Sequence, residues 1–137
     1  MNTDIHALVG AALGSLLRDR KTAFLAGVAS HLPADRLPHF HLSDPGEVVV
    51  AAATLAFVRL RYGRNSPEFA GAIGALVPDL EVVANRLGLL PEDKQVFPTH
   101  RGMHRQRNED PRTELLLAIA SLLILECDCP PHGPTAR

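Results

Sequence analysis

Three features of this 137-residue chain predict an all-α fold, a compact bundle of five to six helices. Hydrophobic residues make up 46% of it, aromatics only 4%, and tryptophan is missing, so the core must be built from Ala, Leu, Val and Ile, a composition that suits closely packed helices. Apolar residues recur at helical spacing, as in Ile5, Leu8, Val9, Ala12, Leu13, Leu16 and Leu17. Clusters of proline, glycine and polar residues break these stretches, as in Tyr62-Gly63-Arg64-Asn65-Ser66-Pro67. The length favours one domain with a real core.

Asn2-Thr3-Asp4 supplies capping side chains for a first helix that ends at Arg18-Asp19-Arg20-Lys21 and carries His6 in its first turn. A second helix is expected from Thr22 to about His31, where Pro33 and Pro38 bracket a polar segment through Ser43-Asp44-Pro45-Gly46. The third, from about Gly46 to Arg61, is nearly all apolar and reads as central in the bundle. A fourth starts near Pro67 and meets an interruption at Pro78-Asp79-Leu80-Glu81, beyond which residues to Gly88 continue it. Leu89 to Thr99 reads as a loop into His100, followed by a polar stretch from Arg101 to Arg112. A last helix runs from about Pro111 to Glu126. Residues 1–128 thus form one helical metal-binding domain, and 129–137 a tail with too few apolar groups to fold alone.

Two helix ends echo each other: Ala26-Gly27 leading to Pro33-Ala34-Asp35, and Ala70-Gly71 leading to Pro78-Asp79. Gly27, Gly71 and Gly74 allow close approach to a neighbouring helix, and each proline is expected to turn the following aspartate into a shared cleft.

The chemistry lies in the histidines. Of the seven, His6 stands alone near the start, while His31, His39 and His41 form one cluster and His100 and His104 another. Asp35 lies four residues from both His31 and His39, and His100 lies four from His104, the spacing that puts two side chains on one helix face. Imidazole and carboxylate together are the usual ligands of zinc and related divalent ions. Taken singly, each histidine reads equally as a satisfied core residue or a partly exposed polar one; the clustering carries the inference.

Other features exclude more than they assign. A formal charge of −1 and a pI near 6.6 give no long-range attraction for polyanions, so tight nucleic-acid binding is not expected. Cys127 and Cys129 lie too close in sequence to staple distant parts of the fold. With Asp4 and His6 in the first turn there is no secretory signal, so a cytoplasmic location is expected. The apolar runs Val48 to Val58 and Leu115 to Leu125 fall short of the roughly 18 residues of a spanning helix and read as buried core helices, with membrane-surface contact as the alternative; a homo-oligomer also stays open.

Thr3-Asp4-Ile5-His6-Ala7-Leu8-Val9-Gly10, Pro78-Asp79-Leu80-Glu81 and His100-Arg101-Gly102-Met103-His104 resemble the T-x-x-H-x-x-x-G, P-D-x-D and H-R-G-x-T-H-S motifs of a membrane-bound metal-dependent hydrolase family. That family is similar in turn to the zinc-dependent phospholipase C and single-strand-specific zinc nuclease group, which are all-helical enzymes. Their His-x-x-x-Asp pair is matched by His31 and Asp35, with His39 or His41 as the later histidine. Three features depart from the family: Glu81 replaces the second acid of P-D-x-D, Arg105 replaces the serine after the last histidine, and the multiple spanning helices are missing.

The resemblance implies a metal-dependent hydrolase acting on a phosphoester or phospholipid through a metal-activated water. His6, His31, Asp35, His39, Asp79, His100 and His104 are the candidate ligands for one to three divalent ions, zinc first among them. Glu81 is the candidate general base or extra ligand, Arg101 the group that neutralises charge developing in the reaction, and Arg105 a substrate-binding residue. The competing class is a non-catalytic helical interaction module with a structural metal or none. A third reading places the metal on Cys127, Cys129 and His132.

Overall fold

The computed structural model describes residues 2–37, 44–94, 96–97 and 111–127, and these form five α-helices with no strand. They are α1 (Thr3–Leu17), α2 (Arg20–Ala34), α3 (Asp44–Tyr62), α4 (Pro67–Arg86) and α5 (Pro111–Cys127). A single 3₁₀ turn, Glu92–Lys94, follows α4. None of these helices is long and apolar enough to cross a membrane.

Helix α1 touches all four others and is the centre of the bundle, with α2 and α4 packed on it and on each other. The expectation of a central α3 is therefore corrected. Helix α3 lies against α1 and α4 and leaves Val48, Val49, Phe57 and Leu60 exposed. Centrality follows from residue size rather than from hydrophobicity. The contact face of α1 carries Ala7, Gly10, Ala11 and Gly14, all buried, and a backbone with no side chain in the way can meet three neighbours at once.

The glycines show how close that approach is. A Cβ built on Gly10 would fall 2.3 Å from the Gly71 carbonyl oxygen, and one built on Gly27 would fall 2.2 Å from the same oxygen. Gly71 of α4 thus sits where α1 and α2 converge, and Gly74 meets the Phe24 carbonyl in the same way, at 2.2 Å. Around these contacts Ala7, Ala11, Ala12, Val58, Ala72, Leu76 and Leu125 form the main core.

Three helix boundaries differ from the sequence expectation. Helix α2 does not end at His31 but continues through Pro33 to Ala34, and α4 passes through Pro78 without interruption to Arg86. An internal proline removes one helical hydrogen bond and crowds the carbonyl four residues back, yet packing on neighbouring helices holds both segments helical. At the start of α1, Asn2 makes no side-chain cap. Its backbone N–H and side-chain amide instead donate to the two carboxylate oxygens of buried Glu114, at 2.9 and 3.3 Å, which ties α1 to α5.

Helices α2 and α4 begin on side-chain caps. Asp19 accepts from Thr22 N–H at 2.8 Å, and Ser66 accepts from Phe69 N–H at 3.0 Å, with Pro67 in the first helical position. Ser66→Ala is expected to cost about 1 kcal/mol in chemical denaturation, and no measurable loss would show that this cap is dispensable.

Candidate metal centre

Four acidic and histidine side chains meet where α1, α2 and α4 come closest. His6 is in the first turn of α1, His31 in the last turn of α2, Asp35 at the end of α2, and Asp79 in α4 directly after Pro78. The glycine contacts set this meeting. Gly10 lies one turn beyond His6, Gly27 one turn before His31, and Gly71 two turns before Asp79. Close backbone contact at that level brings the side chains above it together. The imidazole rings of His6 and His31 stack with centroids 3.9 Å apart and planes 17° from parallel.

One ligand atom each from His6, His31 and Asp79 lie within 4.8 Å of one another. Both histidines are fully buried, and the Asp79 side chain is 22% exposed, which opens one side of the group to solvent. Asp35 joins the histidines: His6 Nε2 is 2.9 Å from its Oδ1, and His31 Nε2 is 3.2 Å from its Oδ2. His31 Nε2 is also 3.6 Å from Asp79 Oδ1.

The partners fix the tautomers. His31 Nδ1 is 2.9 Å from the Ala75 carbonyl oxygen, which can only accept, so Nδ1 carries the proton. With Nδ1 protonated, His31 Nε2 faces two carboxylates and needs either a second proton or a cation between them. His6 is arranged the other way. Its Nε2 donates to Asp35, leaving buried Nδ1 with a lone pair and no hydrogen-bond partner. A ligand histidine whose second nitrogen donates to a carboxylate or backbone carbonyl is the usual arrangement around a bound metal.

The electrostatics agree with a site short of positive charge. Burial drives the His6 imidazole down to about 4 against the pull of its Asp35 hydrogen bond, so the ring is neutral at ordinary pH. His31 moves up: burial opposes its charge, but the Asp35 hydrogen bond, the Asp79 and Asp35 charges and the Ala75 carbonyl outweigh it. Burial would raise Asp35 too, yet hydrogen bonds from His31 and His6 hold it well below the usual carboxylate range. Asp79, with less help, is pushed by burial up to about 6.

Glu81 takes a different part from the expected base or extra ligand. Its two carboxylate oxygens accept from the backbone N–H groups of Val96 and Phe97, so it clamps the returning chain against α4. His39, His41, His100, Arg101, His104 and Arg105, along with Cys129 and His132, lie outside the described residues. Sequence reasoning missed the Ala75 carbonyl as a group that orients His31, because a backbone carbonyl leaves no mark in the side-chain pattern. No protein-family model matches the chain, and neither a curated protein nor a solved structure shows significant similarity to it.

Proposed function

We propose that this chain is a metal-dependent hydrolase whose divalent ion, zinc in the first instance, is held by His6, His31 and Asp79, and whose substrate is a phosphoester. The observation that carries this reading is the convergence of three ligand atoms from three helices within 4.8 Å, two of them on fully buried rings. Three protein ligands are the number that leaves a coordination position for water or substrate. Bound there, the ion supplies a Lewis acid that activates water and polarises a phosphoryl oxygen.

The chain's own residues do the rest. Asp35 engages Nε2 of His6 and leaves its Nδ1 lone pair, and the Ala75 carbonyl engages Nδ1 of His31 and leaves its Nε2 lone pair, so both rings are set before anything binds. The partial exposure of Asp79 marks the side from which substrate enters. In this reading His100 and His104 serve a second ion beside the first, and Arg101 and Arg105 next to them in sequence offer positive charge to the phosphoryl group. The motif resemblance around His6, Asp79 and His100 supports the same class of chemistry.

One observation favours a second reading, a metal-free pin. Asp35 already accepts from His6 and lies 3.2 Å from His31 Nε2, and so links α1 to α2 without any ion. Elemental analysis of protein purified without chelator separates the two. Stoichiometric metal in the wild type and its loss in His31→Ala and Asp79→Asn are expected, with His104→Ala reporting whether the second cluster joins. Protein that is folded, metal-free and unable to take up zinc would exclude the hydrolase. Turnover of a chromogenic phosphodiester by the metal-loaded wild type then tests the substrate class.

A further inference from the structure

Helix α5 turns its more apolar face away from the bundle. Glu114, Ser121 and Leu125 form its buried side, against α1. On the opposite side Leu115, Leu116, Ile119, Leu122 and Leu123 are 40 to 68% exposed. A helix face this apolar is normally covered, and a contiguous exposed patch of this kind marks an interaction surface.

The charges at its ends say what covers it. Along the exposed face the residues Arg112, Leu116, Ile119, Leu123 and Glu126 follow alternating steps of four and three, the spacing of a helix-pairing seam. Arg112 lies seven residues before Ile119 and Glu126 seven after it. A twofold axis through Ile119, relating α5 to an antiparallel copy of itself, therefore places each Arg112 opposite the partner's Glu126. Both charges are on the wrong ends for their own helix, because the N-terminus of a helix favours acids and the C-terminus favours bases. Among the described residues Glu126 meets Arg61 at 3.9 Å, with both groups exposed.

We infer that this face binds a second copy of the chain, through antiparallel α5–α5 pairing centred on Ile119. The contact is self-complementary and closes on itself, so it yields a dimer and not a filament. A lipid surface fits less well. Interfacial helices set a basic polar face against their apolar one, whereas the other face of α5 is packed on the protein and its exposed end carries Glu126. The inference is independent of the metal centre, which lies on α1, α2 and α4.

Sedimentation of the full chain over a wide concentration range tests it. The wild type is expected to move from 14.8 kDa toward twice that mass. Ile119→Lys, which sets two like charges face to face on the axis, should remain a monomer with an unchanged helical circular dichroism spectrum. Arg112→Glu alone should weaken the dimer at least tenfold by opposing two acids at each end, and Arg112→Glu combined with Glu126→Arg should restore it. That restoration is specific to antiparallel pairing. A wild type that is monomeric throughout overturns the inference, as does a dimer that survives Ile119→Lys, a failure of the double reversal to restore association, or a monomer that co-sediments with phosphatidylcholine vesicles through this face.

Discussion

Gly71→Ala is expected to destabilise the protein by roughly 3 kcal/mol or more, although alanine is the better helix former by about 1 kcal/mol. The reason is the partner atoms. A Cβ on Gly71 would lie 2.1 Å from the Gly10 carbonyl oxygen and 2.9 Å from the Gly10 carbonyl carbon, both backbone atoms of the central helix. Backbone cannot rotate aside as a side chain can, so α1 and α4 must separate. Such a separation also pulls His6 away from Asp79, and any metal affinity should fall with stability. Gly10→Ala strikes the same contact from the other side, where its Cβ would lie 2.3 Å from the Gly71 oxygen. The double variant should therefore cost clearly less than the two single costs added together. Urea denaturation of the three variants checks this, and a Gly71→Ala protein as stable as the wild type would show that the helices are not held at this separation.

The same glycines explain how much of the fold was legible in the sequence. Gly27, Gly71 and Gly74 announce close helix contact by their size alone, and the structure uses all three in that way. Hydrophobic periodicity located the helices, but it did not rank them. The run from Val48 to Val58 looks like the most buried segment, yet Val48 and Val49 are exposed and α1 is central. Apolarity reports that a surface will be covered; it does not say whether the same chain covers it. The prolines misled for a related reason. Pro33 and Pro78 disfavour helix locally, whereas burial of the surrounding helix faces is a property of the whole bundle.

Part of the candidate site was legible as chemistry and little of it as geometry. Spacing of four within α2 puts His31 and Asp35 together, and that pair is a local feature any helix would produce. The approach of His6 and Asp79 is long-range, and the proline-aspartate helix end and the motif resemblance, not periodicity, pointed to those two residues. The assignment of donor and lone-pair nitrogens was beyond sequence reasoning, because it depends on the Ala75 carbonyl and on which oxygen of Asp35 faces which ring. Glu81 shows the opposite limit. Two residues from Asp79 in sequence, it faces the backbone of Val96 and Phe97, since residues two apart on a helix do not share a face.

Asp79→Asn should make the metal-free protein more stable at neutral pH, by at most about 3 kcal/mol, while abolishing its response to metal. Burial raises the Asp79 carboxyl to about 6, so the folded chain holds its proton more tightly than the unfolded chain does. A group raised in this way contributes stability that is fully present below the unfolded value, near pH 4, and lost as pH rises through about 6. Asparagine keeps the shape and never ionises, so its advantage should be absent below about pH 4, grow across that window and be complete above about pH 6. His6 works in the opposite direction. Its imidazole is lowered to about 4, so its contribution is lost as pH falls from the ordinary histidine value toward 4, which opposes the Asp79 trend in the wild type. The variant, without the Asp79 contribution, should therefore lose stability on acidification relative to the wild type. Added zinc should raise the melting temperature of the wild type above pH 6, where Asp79 is ionised and able to take a cation, and leave Asp79→Asn unmoved. Melting curves of both proteins at pH 4.5 and 7.5, with chelator and with zinc, decide the matter. A carboxylate that costs stability when bare and repays it when a cation is bound is what a metal ligand should be, whereas equal stability of the two proteins at pH 7.5 in chelator would mean that Asp79 carries no such strain.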